Sequence, residues 1–307
     1  MSVLVFGSLN MDLVVQSPRL PTAGETILGT RFDTIAGGKG ANQAVAVARQ
    51  QVRTTMIGRV GTDAFGHTLR HGLAVEGIDV DHVVIDAEAH TGVAAIAVAT
   101  TSENHIVVVP EANGRNDDSD LANLKKCLPG AKLLLMQFEI PLPIVAAAAE
   151  LADSAGLQVI IDPAPAQTSL PNTLYRHTHI LTPNQVEAAQ LVGFPVATVE
   201  AATEAARVLQ QRGVEIVVIT LGEQGVLCAT RDKTFHTPPF SVTPVDTVAA
   251  GDAFNGGLAV ALYEERPLAE AIAWASATAA LSVMHAGAQP SLPKRSQVEA
   301  FLQQQRN

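Results

Sequence analysis

Val245 to Gly257, "VDTVAAGDAFNGG", sets one carboxylate, Asp252, behind Ala-Ala-Gly and ahead of a small-residue, apolar run. If Ala249, Ala250, Gly251 and Asp252 make the first turn of a helix, their N–H groups have no partner inside that helix and point outward together. Such a turn can hold a transferring phosphoryl group, and small side chains let its oxygens approach. Asp252 then stands within reach of the proton of an attacking hydroxyl, while Ala249, Ala250 and Gly251 form an anion hole. A helix N-terminus weakens a carboxylate as a base. A loose phosphoryl-transfer transition state needs it mainly for orientation and late proton acceptance. The same acid also suits an ordinary helix start, where it stabilises the helix dipole.

Other stretches carry polar groups at comparable positions. In "AGGKGANQA" (Ala36 to Ala44), Gly37, Gly38 and Gly40 allow close backbone approach, and Lys39 and Asn42 place a cation and an amide near a helix start. The combination suits a hydroxyl-rich ligand, or simply a glycine turn before a helix. Its glycines fail the dinucleotide-binding spacing, and they follow "RFDTI", which reads as strand-poor. "GSLNMD" ends the first strand with Asn10 and Asp12, both able to bond sugar hydroxyls and both common in turns. Glu139 follows the apolar strand of "LLLMQFEIP", where an acid is costly unless it is paired or faces a pocket. In "TPNQVEA", Asn184 and Glu187 share a helical face and can orient magnesium-bound water beside a phosphate, or cap a helix. "ITLGEQG" closes a strand in a glycine turn, a purine shelf or a plain hairpin.

The elements that must position these residues alternate along the chain. "VLVFG", "TTMIG", "KLLLMQ", "QVIID", "HILT" and "VEIVVIT" are short, apolar and β-branched, as strands buried on both faces are. Helical stretches such as "GANQAVAVARQQ", "PIVAAAAELADSAG" and "ATVEAATEAARVLQQRG" lie between them. The alternation predicts an α/β fold: a mainly parallel central sheet covered by helices on both faces. Two segments, residues 12–35 and 91–112, read instead as strands and turns, the second as a hairpin around "TSEN". They can pair as a small antiparallel sheet, a lid on a single domain spanning residues 1–307.

Composition narrows the function classes. The 307 residues are 47% hydrophobic and 16% charged, enough apolar material for a large core. A net charge of −10 without a basic run argues against nucleic acid or an anionic membrane as partner. Cys127 and Cys228 read as buried free thiols of a reducing compartment. The start "MSVLVFGSLNMDLVV" reads as strand and turn, not a signal peptide, and the run Ala271 to Met284 is shorter than a membrane span. A cytoplasmic protein is expected. His67 with His71, and His177 with His179, lack further ligand-like neighbours, so they read as ordinary histidines.

Taken in order, "GSLNMD", "AGGKGANQA", "FEIP", "DPAPA", "TPNQVEA", "TLGEQG", "VDTVAAGDAFNG" and "GAQPSLP" resemble the ribokinase branch of the ATP-dependent carbohydrate kinases over nearly the whole chain. The resemblance implies transfer of the γ-phosphoryl of ATP to the 5-hydroxyl of D-ribose, with Asp252 as base. It implies Asn10, Asp12, Gly38, Lys39, Asn42 and Glu139 around the sugar, and Asn184 and Glu187 serving magnesium and phosphate. Thr220, Gly222 and Gly225 would lie near the nucleotide. A potassium site would use Asp246, Val248, Val283, Gly287 and Ser291, and the lid would pair in a homodimer. One departure is visible: Gln185 stands where the family commonly has an acid, which bears on the magnesium-water network. A kinase for 2-deoxyribose or another sugar or nucleoside is the nearest alternative. A non-catalytic sugar sensor would be expected to lack Asp252 or Gly251, and an NAD-binding enzyme to carry the dinucleotide fingerprint.

Overall fold

The computed structural model describes residues 1–101 and 103–305. Thirteen strands run in chain order as β1 (Ser2–Phe6), β2 (Asn10–Ser17), β3 (Arg31–Gly37), β4 (Thr54–Gly61), β5 (Asp79–Asp86), β6 (Gly92–Ala99), β7 (Asn104–Val109), β8 (Ala131–Met136), β9 (Gln158–Ile161), β10 (Ile180–Leu181), β11 (Ile216–Thr220), β12 (Val226–Ala229) and β13 (Thr234–Thr237). The α-helices are α1 (Lys39–Ala48), α2 (Ala64–Val75), α3 (Asp118–Cys127), α4 (Leu142–Ser154), α5 (Asn172–Arg176), α6 (Gln185–Val192), α7 (Val199–Gln211), α8 (Ala250–Tyr263), α9 (Leu268–Ser282) and α10 (Arg295–Gln304).

Nine strands form one sheet in the order β13-β12-β11-β10-β9-β8-β1-β4-β5. Its neighbours are parallel except in the β11–β12–β13 meander at one edge. Successive side chains of a strand point to opposite faces, so a continuous apolar run feeds two cores. Val3, Val5, Leu133 and Leu135 pack toward α1, α2, α8 and α9, whereas Leu4, Phe6, Leu134 and Met136 pack toward α3, α4, α6 and α7. This is the expected α/β architecture. The small residues behind Asp252 have a packing reason as well: a Cβ on Gly256 would come 2.4 Å from the Ala46 Cβ, and one on Gly257 2.6 Å from the Thr278 hydroxyl. Helix α8 is wedged between α1 and α9.

The second sheet has the order β3-β2-β6-β7. The two hairpins, β2 with β3 and β6 with β7, are antiparallel, and the β2–β6 pair that joins them is parallel. That junction departs from a wholly antiparallel lid. It follows from β2 and β6 both leaving the main sheet in the same direction, with Asn10 opposite Gly92 and Ser17 opposite Ala99. "RFDTI" is also a strand, part of β3, so the glycines of "AGGKG" do follow a strand, though one of the lid rather than of the parallel sheet. The "TSEN" turn joins β6 and β7, and its Ser102 lies outside the described residues. Cys127 is half-buried at the end of α3 and Cys228 is buried on β12, both as free thiols. Among the described residues no helix is long and apolar enough to cross a membrane.

Candidate active site

Parallel strands bring their C-terminal ends to one edge, where ligands of open α/β sheets bind. At this edge β1 leads to Ser8 and Asn10, β8 to Gln137 and Glu139, β9 to Asp162, β10 to Asn184, and β11 ends at Thr220. Two helices, α1 and α8, start over the same edge, and their first turns differ in what they leave free.

The start of α1 is filled by the protein itself. Gly38, with φ of 88°, turns the chain against β2, where a Cβ would lie 2.6 Å from the Asn10 nitrogen. Glu139 accepts the Lys39 N–H at 3.2 Å, the Ser8 carbonyl takes the Ala41 N–H at 2.9 Å, and the Ser8 hydroxyl takes that of Gly40 at 3.4 Å. The start of α8 is open. Ala249 precedes it in a left-handed conformation, φ 60°, without a side-chain cap. Among the described residues neither the Gly251 nor the Asp252 N–H finds an acceptor, while the Ala250 N–H makes a 3.2 Å bond to Thr247. Gly251 is exposed, and a Cβ there would meet no protein atom within 4 Å. Of the two helix starts, only that of α8 offers unpaired donors to an anion.

Asp252 is buried just inside that opening. Asn42 Nδ2 donates to its Oδ2 at 2.9 Å and Gln43 Nε2 to its Oδ1 at 3.1 Å, so α1 holds the carboxylate of α8. Burial raises its pKa, while Lys39 and the two amides act in the opposite direction. Thr182, just past β10, anchors α8 through Asn255 at 2.7 Å, and Asn255 Nδ2 in turn donates to the Gly251 carbonyl at 3.0 Å.

The sequence-predicted sugar residues converge in front of Asp252. Asn10 Nδ2 lies 3.4 Å from Glu139 Oε2, and the Asn42 Oδ1 is buried without a partner, an acceptor free for a hydroxyl. The Asp12 carboxylate lies over Gly37, where a Cβ would sit 2.4 Å from its oxygen. Burial opposes the charge on Lys39, but Asp252, Asp162, Glu139 and Glu187 outweigh it and hold its pKa above the usual lysine value.

Asn184 and Glu187 form the N-terminal capping box of α6. Asn184 Oδ1 accepts the N–H groups of Val186 and Glu187 at 2.8 and 2.9 Å, and Glu187 Oε2 accepts that of Asn184 at 2.8 Å. With its oxygen used, Asn184 has only Nδ2 to offer a phosphate or a metal-bound water. Glu187 is buried, which raises its pKa, and retains Oε1 for a hydrated cation. That donor set fits a magnesium ion bound through water and phosphate. Thr220 bridges to Asn184 at the end of β11, and Gly222 is exposed beside it. Gly225 is buried under the chain after β13, where a Cβ would lie 2.2 Å from the Thr237 carbonyl, so it serves the hairpin.

The monovalent-cation candidates meet in part. The Asp246 carboxylate accepts from Val248 N–H at 3.0 Å and Gly287 N–H at 2.9 Å, tying two loops together. The Val283 carbonyl takes the N–H groups of Val245 and Asp246, at 2.7 and 3.2 Å, and the Ser291 hydroxyl faces Ser282 and the Ala288 carbonyl. Asp246, Val248 and Gly287 thus lie together, with Val283 and Ser291 closing the loops around them.

Several members of the site escape the motif reading. Buried Asp162 follows β9 and has its pKa pushed well up by burial, with Lys39 opposing and Glu187 and Asp252 reinforcing. "DPAPA" contains it, and an acid at a strand end was its available signal. Asn113 accepts the Leu9 N–H at 3.0 Å and donates to Asn10 Oδ1 at 2.8 Å, turning Nδ2 of Asn10 toward the site. Gln43 and Gln137 are the others.

The profile of "pfkB family carbohydrate kinase" matches residues 1–295. The chain belongs to this family. A ribokinase of Haemophilus influenzae is 41% identical over 302 residues, covering 98% of both chains. A deoxyribokinase of Salmonella typhimurium is 34% identical over 302 residues, 98% of this chain and 99% of the relative. The structure of Arabidopsis thaliana ribokinase complexed with ribose and ATP superposes with a TM-score of 0.91 at 34% identity, covering 98% of both chains.

Burial first, then Glu139 and Asp252, raise Asp12 from 3.8 to about 7. Between those values the folded protein holds a proton that the unfolded chain has released, so this residue's contribution to stability declines as pH rises through the window. Asp12→Asn is expected to raise the thermal midpoint of the sugar-free kinase above neutrality, with the gain vanishing near the unfolded value. Calorimetry across pH checks it; a gain independent of pH would contradict the assignment.

Proposed function

We propose that the kinase transfers the γ-phosphoryl of ATP to the 5-hydroxyl of D-ribose, giving ribose 5-phosphate and ADP. The observation that carries the reading is Asp252: a buried carboxylate, gripped by two amides, directly beneath unpaired helix N–H groups. Full-length similarity to ribokinases supports the sugar.

Asn10, Asp12, Gly38, Lys39, Asn42 and Glu139 hold the ribose hydroxyls, leaving the 5-hydroxyl against Asp252. The carboxylate orients that hydroxyl and accepts its proton as the bond to phosphorus forms. The turn Ala249–Asp252, through its free N–H groups, stabilises charge on the phosphoryl oxygens. Asn184 Nδ2 and Glu187 Oε1 would hold a hydrated magnesium ion, which would supply neutralisation of phosphate charge; Gln185, uncharged, would offer it a weaker contact than an acid. Thr220 and Gly222 lie along the nucleotide, with Gly225 supporting them from the hairpin. Asp246, Val248, Val283, Gly287 and Ser291 would hold potassium between their loops, where its charge would help set the α8 turn. Closure of the lid excludes water and favours the sugar over hydrolysis.

The lid also supports a homodimer. Ile106 and Val108 are exposed on the face that carries Asp12, and Val15, Phe32, Val107 and Val109 on the opposite face, so a second copy of the same sheet laid on the Asp12 face would cover exposed apolar side chains there. Free thiols at Cys127 and Cys228 fit a reducing cytoplasm.

A deoxyribokinase reading is favoured by the Salmonella relative. Buried polar groups discriminate strongly against a ligand lacking their partner, so the sugar contacts decide between the two. The deciding assay measures kcat/KM for D-ribose, 2-deoxyribose, adenosine and fructose 6-phosphate, omitting magnesium and potassium in turn. Ribose is expected to have the highest efficiency, with little turnover without magnesium and activation by potassium. A preference for 2-deoxyribose would overturn the sugar, and equal rates without potassium would remove the Asp246 site. Sedimentation is expected to give a dimer for the kinase and a monomer for Ile106→Glu; a monomeric parent chain would remove the lid interface.

A further inference from the structure

Gln43 and Gln137 are fully buried and lie behind the carboxylates rather than in front of them. Gln43 Nε2 donates to Asp162 Oδ2 at 2.8 Å and to Asp252 Oδ1 at 3.1 Å, and its Oε1 accepts from Gln137 Nε2 at 2.5 Å. Gln137 sits just past β8, next to Gly7, where a Cβ would lie 2.0 Å from the Gln137 Oε1. The absent side chain of Gly7 makes room for that amide.

We propose that these two glutamines form an amide relay that positions the base: Gln43 fixes the Asp252 carboxylate, and Gln137 fixes which end of the Gln43 amide faces it. The inference rests on the reading of Asp252 as base. A primary amide has a donor end with two hydrogens and an acceptor end. Here each hydrogen serves one acid. Reversing the amide would set its carbonyl oxygen against two carboxylates, and the donation from Gln137 to Oε1 opposes that reversal. With Asn42 on Oδ2 and Gln43 on Oδ1, adjacent residues of α1 fix the plane of the base and leave lone pairs for the sugar hydroxyl.

The relay also favours the charged form that a base needs. Asp252 is surrounded by Lys39 from α1, Glu139 after β8, Asp162 after β9 and Asp12 from β2, with Glu187 from α6 beyond Lys39 and Asp162. Lys39 is the cation in that group, and Glu139, Asp162 and Asp12 oppose ionisation. Neutral donors from Asn42 and Gln43 supply the rest of the support for the carboxylate.

The test compares the full-length kinase with Gln137→Met and Gln43→Met, which keep an unbranched side chain of similar length and remove the amide. The pH profile of kcat, KM for both substrates and the thermal midpoint are measured for each. Gln43→Met is expected to lower kcat at least tenfold and move the acidic limb of kcat upward by about one pH unit, the scale of a lost charge-assisted hydrogen bond. Gln137→Met, which touches neither acid, should move that limb in the same direction by roughly half as much. KM values should stay within about threefold, because both glutamines lie behind the acids. If Gln137→Met leaves the limb in place, so that any loss of rate follows the thermal midpoint, the relay is overturned. Asp252→Asn separates this from failure of the base reading. An acidic limb that survives in that variant overturns the base and the relay together; one that disappears there yet ignores both methionine variants overturns the relay alone.

Discussion

The site depends on one lysine set among acids. Lys39 faces Asp252, Asp162, Glu139 and Glu187 at the edge of the sheet, and burial works against the charges on Lys39, Asp252, Asp162 and Glu187. Buried ion pairs roughly break even against their desolvation, so such a cluster does not exist for stability. It stands because Asn42 and Gln43 donate to Asp252, the Lys39 N–H and the Ser8 hydroxyl reach Glu139, and the capping box reaches Glu187. Excess negative charge in a partly dry cleft suits a ligand rich in hydroxyl donors, and suits phosphate only when cations accompany it. The sugar and the metal-bound nucleotide are thus two answers to one electrostatic problem.

The backbone resolves where the anion goes. Both α1 and α8 begin over the carboxyl ends of parallel strands, yet Ser8 and Glu139 fill the first turn of α1. The first turn of α8 keeps its Gly251 and Asp252 N–H groups free. In the proposed reading, that asymmetry separates a sugar side, built on α1, β1 and the lid, from a phosphoryl side, built on α8. Asp252 belongs to both: its backbone N–H lies in the anion turn and its carboxylate is held by α1. The close packing of Gly256 against Ala46 fixes the distance between the two helices.

Much of this was legible in the sequence because the chemistry is local there. The run "VDTVAAGD" is its own turn, and the alternation of strands and helices predicts the parallel sheet that collects its strand ends. What was not legible is contact between distant segments. Gln43 lies within "AGGKGANQA" and Gln137 within "LLLMQFEIP", but an amide pair separated by 94 residues becomes visible only when the strand order sets β8 beside β1, on which α1 packs. Asp162 escaped for the same reason. The lid illustrates the limit too: the β6–β7 hairpin was read from strand and turn residues, whereas the β2–β3 pairing was seen only as strands and turns, and the parallel junction depends on where β2 and β6 leave the main sheet. "RFDTI" lacks a long apolar run because β3 is an exposed lid strand rather than a buried one.

The central claim is that Asp252 is needed for chemistry and dispensable for holding the sugar. The most direct measurement is single-turnover phosphoryl transfer by Asp252→Asn alongside ribose binding by calorimetry. The account predicts a loss of at least about a hundredfold in the transfer rate, the low end of what general base catalysis supplies, with ribose affinity largely kept. Near-native transfer would contradict it, and so would a loss of rate matched by an equal loss of ribose affinity.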